Sequence, residues 1–403
     1  MPFTESTVLL TLIPQGVKYC LGFLARERVR NILLQAVFLI VIASGCYALF
    51  TNVLANLSAR GIRTGFDFLT QESGFRINQT LVNYSETSSF GRVFIVGILN
   101  TLLVSVLGIM LATWFGFLIG IARLSSNWLI SRLAAVYIEI FRNIPLLLQV
   151  LFWYNWVLRV LPHPRQSHHL GQWLFLNQRG LYLPKIMLLD GSWVFVVAIL
   201  TALVSMPIFG YWLKKYRAKT GRLWRHRYLV LGAIVSLPIC VYLITGDSVA
   251  WELPVLKGFN FRGGVVLLPE LIALLLALTI YTTAFIAEIV RAGIQAVPKG
   301  QIEAASALGF SLNQRLTLIV IPQALRVIIP PLTNQYLNLL KNSSLATAIG
   351  YPDLVNVFAG TTVNITGQAI EVIAMTMAVY LIFSLLISLL MNIYNRLVAL
   401  VER

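Results

Sequence analysis

The 403-residue chain is 58% hydrophobic and only 11% charged, against about 25% charged in an average soluble domain. That composition excludes an ordinary water-soluble globular protein and points to one that lives in a bilayer. The net charge of +16 is no sign of nucleic acid either, because the positive residues stand at the ends of apolar runs, where anionic headgroups and membrane topology account for them.

Residues 1 to 31 read as a cytoplasmic amino-terminal segment. The apolar run that follows is too long for the core of a cleaved signal, so it is expected to be a retained first helix. Residues 32 to 91 hold that helix and a polar outer loop with Asp67, Glu72, Arg76 and the turn-like Ser73-Gly74. Runs without any Asp, Glu, Lys or Arg recur at 31 to 59, 93 to 122, 191 to 213, 228 to 246 and 372 to 395. Each reaches the roughly 18 residues needed to cross a bilayer core. Three more candidates carry charges: 133 to 159 with Glu139 and Arg142 and with Arg159 at its end, 266 to 290 with Glu270 and Glu288, and 314 to 340 with Arg326 and with Arg315 near its start. The expected fold class is therefore all-α integral membrane protein with about eight transmembrane helices.

The segments group along the chain. Residues 92 to 160 give two helices joined by the inside turn Arg123 to Trp128. Residues 161 to 264 give an outer loop and a helical hairpin around a basic stretch, Lys214 to Arg227, with seven positive charges in fourteen residues. The outer loop holds His163, His168 and His169 without a nearby carboxylate or Cys at ligand spacing, so ordinary surface histidines are expected and no metal site. Residues 265 to 403 give the last three helices. Between them, 341 to 370 is apolar but broken by Gly350, Pro352, Asp353 and Gly360; such a re-entrant or outer-face element is tolerated only when protein covers its backbone.

The short connections on one side carry nearly twice the Lys and Arg of those on the other. By the positive-inside rule both termini face the cytoplasm. Cysteines 20, 46 and 240 lie in the amino-terminal segment or within spans, so no disulfide framework is implied. The chain has no Gly-Lys dipeptide and hence no P-loop. It is not expected to hydrolyse nucleotide or to hold a cofactor.

One inside loop, 291 to 313, stands apart. Pro298 suits a helix start, Glu303 sits where the helix dipole favours a carboxylate, and Gly309 suits a left-handed stop. Between them Ile302, Ala305, Leu308 and Gly309 fall on one side, with Ala304, Ala305 and Ala307 small enough to seat a partner closely. A helix of about ten residues is not stable in water alone, so this one is expected to be gripped by a partner, the alternative being a surface helix lying on the lipid interface.

The spacing Glu303-Ala304-Ala305, three residues, Gly309, nine residues, Ile319-Val320-Ile321-Pro322 resembles the EAA loop of permease subunits of bacterial ATP-binding-cassette importers. Tyr281 to Gly293, Pro298 to Gln301, Pro322-Gln323-Ala324, Pro330-Pro331, Lys341 to Leu345 and Phe141 to Gln149 resemble the polar-amino-acid permease family. The first helix and the inserted hairpin are similar to the larger subunit of general L-amino-acid transporters. The resemblance implies a type I importer core in the bacterial inner membrane and two permease subunits forming the pathway, here as a heterodimer. It also implies cytoplasmic ATPase subunits that bind the EAA loops, and an extracytoplasmic binding protein that delivers an amino acid. Gly300, Gln301, Glu303, Ala304, Ala305, Leu308 and Gly309 are the implied coupling residues. A bulky residue at Ala305 is expected to uncouple transport while leaving the permease folded.

Charges within spans mark function or neutralise one another. Glu139 with Arg142 and Glu288 with Arg291 are spaced to pair. Arg142, next to Asn143, also suits a carboxylate ligand, and Pro145 frees a carbonyl near residue 141. Lys341, Asn342, Ser343 and Ser344 either line a gate or cap a helix; Tyr281 and Thr282 either face a pathway or pack. A carrier driven by an ion gradient, with Glu139 or Glu288 as coupling carboxylate, is the competing reading, and the docking loop argues against it.

Overall fold

The computed structural model describes residues 27–59, 61, 64–188, 193–220, 224, 226–245 and 249–398, and apolar length again decides what they form. The long helices are α1 Glu27–Ala59, α2 Phe90–Arg123, α3 Trp128–Asn143, α4 Leu146–Val160, α5 Trp193–Thr220, α6 Arg227–Thr245 and α7 Pro269–Gln295. After them come α8 Lys299–Ala307, α9 Leu312–Arg315, a π-helical turn Leu316–Val320, α10 Ile321–Asn342, a 3-10 stretch Ser343–Ile349, a π-helical stretch Val355–Thr362, α11 Val363–Thr366 and α12 Ala369–Val398. Most of the amino-terminal segment and part of the basic loop lie outside the described residues.

Two units separate by contact: Met1–Phe68 with Val363–Glu371, and Leu69–Thr362 with Val372–Arg403. In the first, the left-handed Gly367 follows α11 and its N–H returns to the Val363 carbonyl at 2.8 Å. The Gly65 N–H donates to Glu371 Oε1 at 2.8 Å. The site residues described below belong to the second unit.

Among the described residues, six helices, α1 included, are long and apolar enough to cross a membrane, or seven if one bent pair counts as a span. Two of the eight expected spans therefore differ. The 133 to 159 segment is α3 and α4, meeting at 106°, because Pro145 cannot continue a helix. The 228 to 246 segment is shorter in its apolar part, Tyr228–Leu243, which at 1.5 Å per residue falls short of a core about 30 Å thick.

Residues 168–188 and 249–267 fold as strands, which the helical reading did not anticipate. β1 His168–Leu170, β2 Leu174–Asn177, β3 Gly180–Leu183 and β8 Val265–Leu267 form one antiparallel sheet in that order. β4 Lys185–Leu188 pairs with β5 Val249–Glu252, and β6 Val255–Lys257 with β7 Asn260–Arg262. Gly258 opens the β6–β7 turn at φ +68°, a conformation that favours glycine at that place in a tight hairpin. The α5–α6 hairpin thus rises from between paired strands.

The core is centred on α7, which packs against α2, α3, α4 and α10. Leu274, Ala277, Leu278, Ile286, Ala287 and Val290 of α7 have no exposed surface. Gly116 and Gly120, four residues apart on one face of α2, let the two helices meet. A Cβ at Gly116 would stand 2.5 Å from Ile286 Cγ2, and one at Gly120 2.7 Å from the Ala287 carbonyl oxygen. In lipid such close approach supplies the dispersion energy that holds helices together. Gly120→Val is expected to destabilise the protein by about 1–3 kcal/mol, seen as a lower unfolding midpoint in detergent. Gly210→Ala, where nothing lies within 4 Å, should leave that midpoint unchanged.

Candidate functional site

Between α7 and α9, α8 begins after Pro298 and stops in a Schellman motif. The N–H of Phe310 reaches the Ala305 carbonyl at 3.1 Å, and the N–H of Gly309 reaches Ser306 at 3.0 Å, with Gly309 left-handed at φ +75°. Ala305 is 2% exposed, and Ile302 packs on the core cluster of Ile286, Val290 and Ile328. The side of α8 that carries Ile302 and Ala305 therefore faces this chain, not a partner, which corrects the expected docking face. A bulky residue at Ala305 would strike the fold itself. Gly300, Gln301, Glu303, Ala304, Ala307 and Leu308 are exposed, with Leu308 at 75%.

Two links carry α8 into the membrane. Arg315 Nη1 donates to Ser306 Oγ at 2.6 Å, tying α8 to α9 and the helix that continues as α10. Gly293, near the end of α7, lets Ile328 and the Ala324 carbonyl of α10 approach; a Cβ there would stand 2.3 Å from Ile328 Cγ1. Displacing α8 must push on both α7 and α10.

The membrane charges are arranged less symmetrically than their spacing implied. Arg291 and Glu288 form a two-pronged ion pair, with Arg291 Nε donating to Glu288 Oε2 at 2.9 Å and Nη2 donating to Oε1. Glu139 and Arg142 make no such pair. α3 ends at Asn143, whose side chain donates to the Glu139 carbonyl at 2.7 Å, and the Arg142 guanidinium turns to the Phe285 ring of α7, 5.2 Å from its centroid. The carbonyl freed by Pro145 is also not left open, because Gln149 Nε2 donates to Phe141 O at 3.1 Å and to Ile144 O at 3.0 Å. That amide was legible as part of a motif, but its task was not.

Tyr281 packs on Phe285 at 4.9 Å, while Thr282 is 3% exposed. Ser343 and Ser344 bond back to the Leu340 and Lys341 carbonyls at 2.7 Å, in the manner of helix-end capping. Lys341 is exposed and Asn342 half-buried. Arg142 of α3 and Tyr281 of α7 both lie against the Phe285 ring, whereas Lys341 belongs to α10. Among the described residues no group of three His, Cys, Asp or Glu suits a metal ion.

The stretch after Ile349 is held by α2. Asn100 Nδ2 donates to the Pro352 carbonyl at 2.8 Å and to the Gln79 carbonyl at 3.0 Å. The Leu354 N–H donates to Thr101 Oγ1 at 3.0 Å. Protein thus covers this irregular backbone. Asp353, noted in the sequence only as a break, is 1% exposed. Its Oδ1 accepts from the Asn356 N–H at 2.9 Å, while its Oδ2 and the Tyr380 hydroxyl are buried without a partner. Burial pushes the Asp353 carboxyl up to about 7.

Residues 108–400 match the family described as binding-protein-dependent transport system inner membrane component. The chain belongs to this family. The permease is 56% identical over 388 residues to the putative amino-acid ABC transporter permease protein YhdX of Escherichia coli, covering 96% of this chain and 98% of that one. It is 48% identical to the general L-amino acid transport system permease protein AapQ of Rhizobium johnstonii, covering 93% of each. A solved structure described as an amino acid ABC transporter with histidines aligns with 76% of this chain and 94% of its own at 23% identity and TM-score 0.45. The permease is an integral inner-membrane subunit of an ATP-binding-cassette importer, not an enzyme; ATP hydrolysis belongs to a separate subunit.

Two outcomes follow for the permease. Ala305→Leu is expected to cost about 1–3 kcal/mol of stability by overpacking, whereas Ala304→Leu, on the open side, stays within about 0.5 kcal/mol; unfolding midpoints of the two variants in detergent check this. The folded Asp353 titrates above its unfolded value of 3.8, so the native state holds the proton more tightly. Its contribution is fully present below about pH 4 and is lost as pH rises through about 7. Wild-type unfolding midpoints should therefore fall between pH 5 and about pH 8, and Asp353→Asn should flatten that slope.

Proposed function

We propose that the permease forms part of a translocation pathway for L-amino acids and is driven by cytoplasmic ATPase subunits gripping the open face of α8. The observation that carries the substrate class is identity along nearly the whole chain to permeases named for amino acids. The exposed surface of Gly300, Gln301, Glu303, Ala304, Ala307 and Leu308, braced from behind by Ala305 and Ile302, supports the coupling role. Both termini are cytoplasmic in this reading, in keeping with the Lys/Arg bias. A second, different permease subunit completes the pathway, and an extracytoplasmic binding protein selects and delivers the substrate.

Coupling and folding separate at adjacent residues. Reconstituted with its ATPase, partner permease and binding protein, the wild type should take up L-amino acids only with ATP. Ala304→Trp and Glu303→Lys should reduce uptake by about tenfold or more while the permease still folds, since each disturbs contacts worth at least about 1.4 kcal/mol. Uptake that persists without the ATPase, or is indifferent to both substitutions, would sink the reading.

A further inference from the structure

On the outer side, a cavity of about 380 Å³ brings together charges of both signs that do not meet. Arg76 enters it from the loop before α2, Arg179 from the β2–β3 turn, and Glu270 from the first turn of α7. Among the described residues neither arginine forms an ion pair with Glu270 within 4.0 Å. Among the described residues, Arg76 makes no side-chain hydrogen bond. Arg179 spends one N–H on the Phe259 carbonyl at 3.1 Å, and Glu270 Oε1 accepts a long bond, 3.4 Å, from the Tyr154 hydroxyl.

Opposite charges lining one cavity would ordinarily close on each other. Here they are held apart by three separate elements, leaving a gap with a positive and a negative wall. A molecule carrying its own carboxylate and ammonium would complete both walls at once, with guanidinium matched to carboxylate. The volume lies within the range of small-molecule sites, about 300–1,000 Å³. Asn78, Gln178 and Asn356 supply neutral amides to the same cavity, which suits a polar side chain over an apolar one.

We infer that this outer cavity is a binding site for the zwitterionic head of a polar amino acid, its carboxylate on Arg76 and Arg179 and its ammonium on Glu270. The site rests on the proposed amino-acid import and adds a place where this subunit itself holds substrate before the membrane crossing. The cavity floor is formed by Gly350, Pro352 and Asn356. Because Asn100 grips the Pro352 carbonyl, an occupant presses on a segment anchored to α2.

The test uses the assembled transporter in lipid nanodiscs, without binding protein or nucleotide, titrated with radiolabelled L-glutamine. N-acetyl-L-glutamine lacks the ammonium, and 4-aminobutanamide lacks the carboxylate. Saturable L-glutamine binding is expected, with both analogues weaker by about tenfold or more, since each forfeits a charge-assisted contact. Arg76→Ala and Glu270→Gln should each weaken L-glutamine by a similar factor, and Arg76→Lys should restore most of the loss. Equal binding of all three compounds, no saturable binding, or indifference to both substitutions overturns the site. The analogue comparison uses wild-type protein alone, so it stands even if a variant fails to assemble. ATP-driven uptake of L-glutamine by the same complex with its binding protein separates the two readings: uptake with unchanged cavity binding in the variants overturns the site and leaves the function standing, whereas failure of any amino acid to enter overturns the function.

Discussion

A bilayer offers no water to a broken helix, so every interruption of helical hydrogen bonding must be answered by another part of the protein. Two such answers organise the second unit. Gln149 takes up the carbonyls of Phe141 and Ile144 at the Pro145 break, where α3 and α4 meet at 106°, although its own Oε1 is buried without a partner. Asn100 and Thr101 take up the backbone around Pro352 and Leu354. Each device is a short polar side chain buried at the one depth where the neighbouring chain needs it. Removing either would leave unsatisfied groups costing about 1–3 kcal/mol each, more than helix packing in lipid readily recovers.

The inner half works by contiguity instead. α8 is pinned through Arg315 to Ser306 and lies against the core cluster where Gly293 lets α7 and α10 touch. Force applied to its open face therefore passes into two membrane helices without crossing a flexible joint. The paired Glu288 and Arg291 lie on the last turns of α7, beside that junction, where a neutralised pair stiffens the helix end without exposing net charge to lipid.

Much of this was legible in the sequence, because bilayer thickness and charge cost act on composition directly. The helical segments, the short helix after Pro298 and its stop at Gly309 follow from local rules about apolar length, Pro and Gly. What escaped depends on side chains meeting across distance. Ala305 looked like part of a docking face because periodicity gives a helix its sides but not which side the parent chain occupies. Arg142 looked paired to Glu139 because spacing ignores where a helix ends. The strands are three or four residues long, too short for alternation to declare itself, and β3–β8 and β4–β5 pair residues more than 60 positions apart. Asp353 gave one hint, a lone acid between a Gly-x-Pro and an apolar run, but its burial depends on Asn100 and Thr101 some 250 positions earlier.

The pairing of β4 with β5 has a consequence for how freely the α5–α6 hairpin can vary in length. Leu188 and Val249 are register partners in an antiparallel ladder, so the two points at which the α5–α6 hairpin leaves and rejoins the chain are neighbours. A tight turn between those two residues would close the ladder without the hairpin. Lengthening or shortening the hairpin therefore asks nothing new of the helices that surround α7.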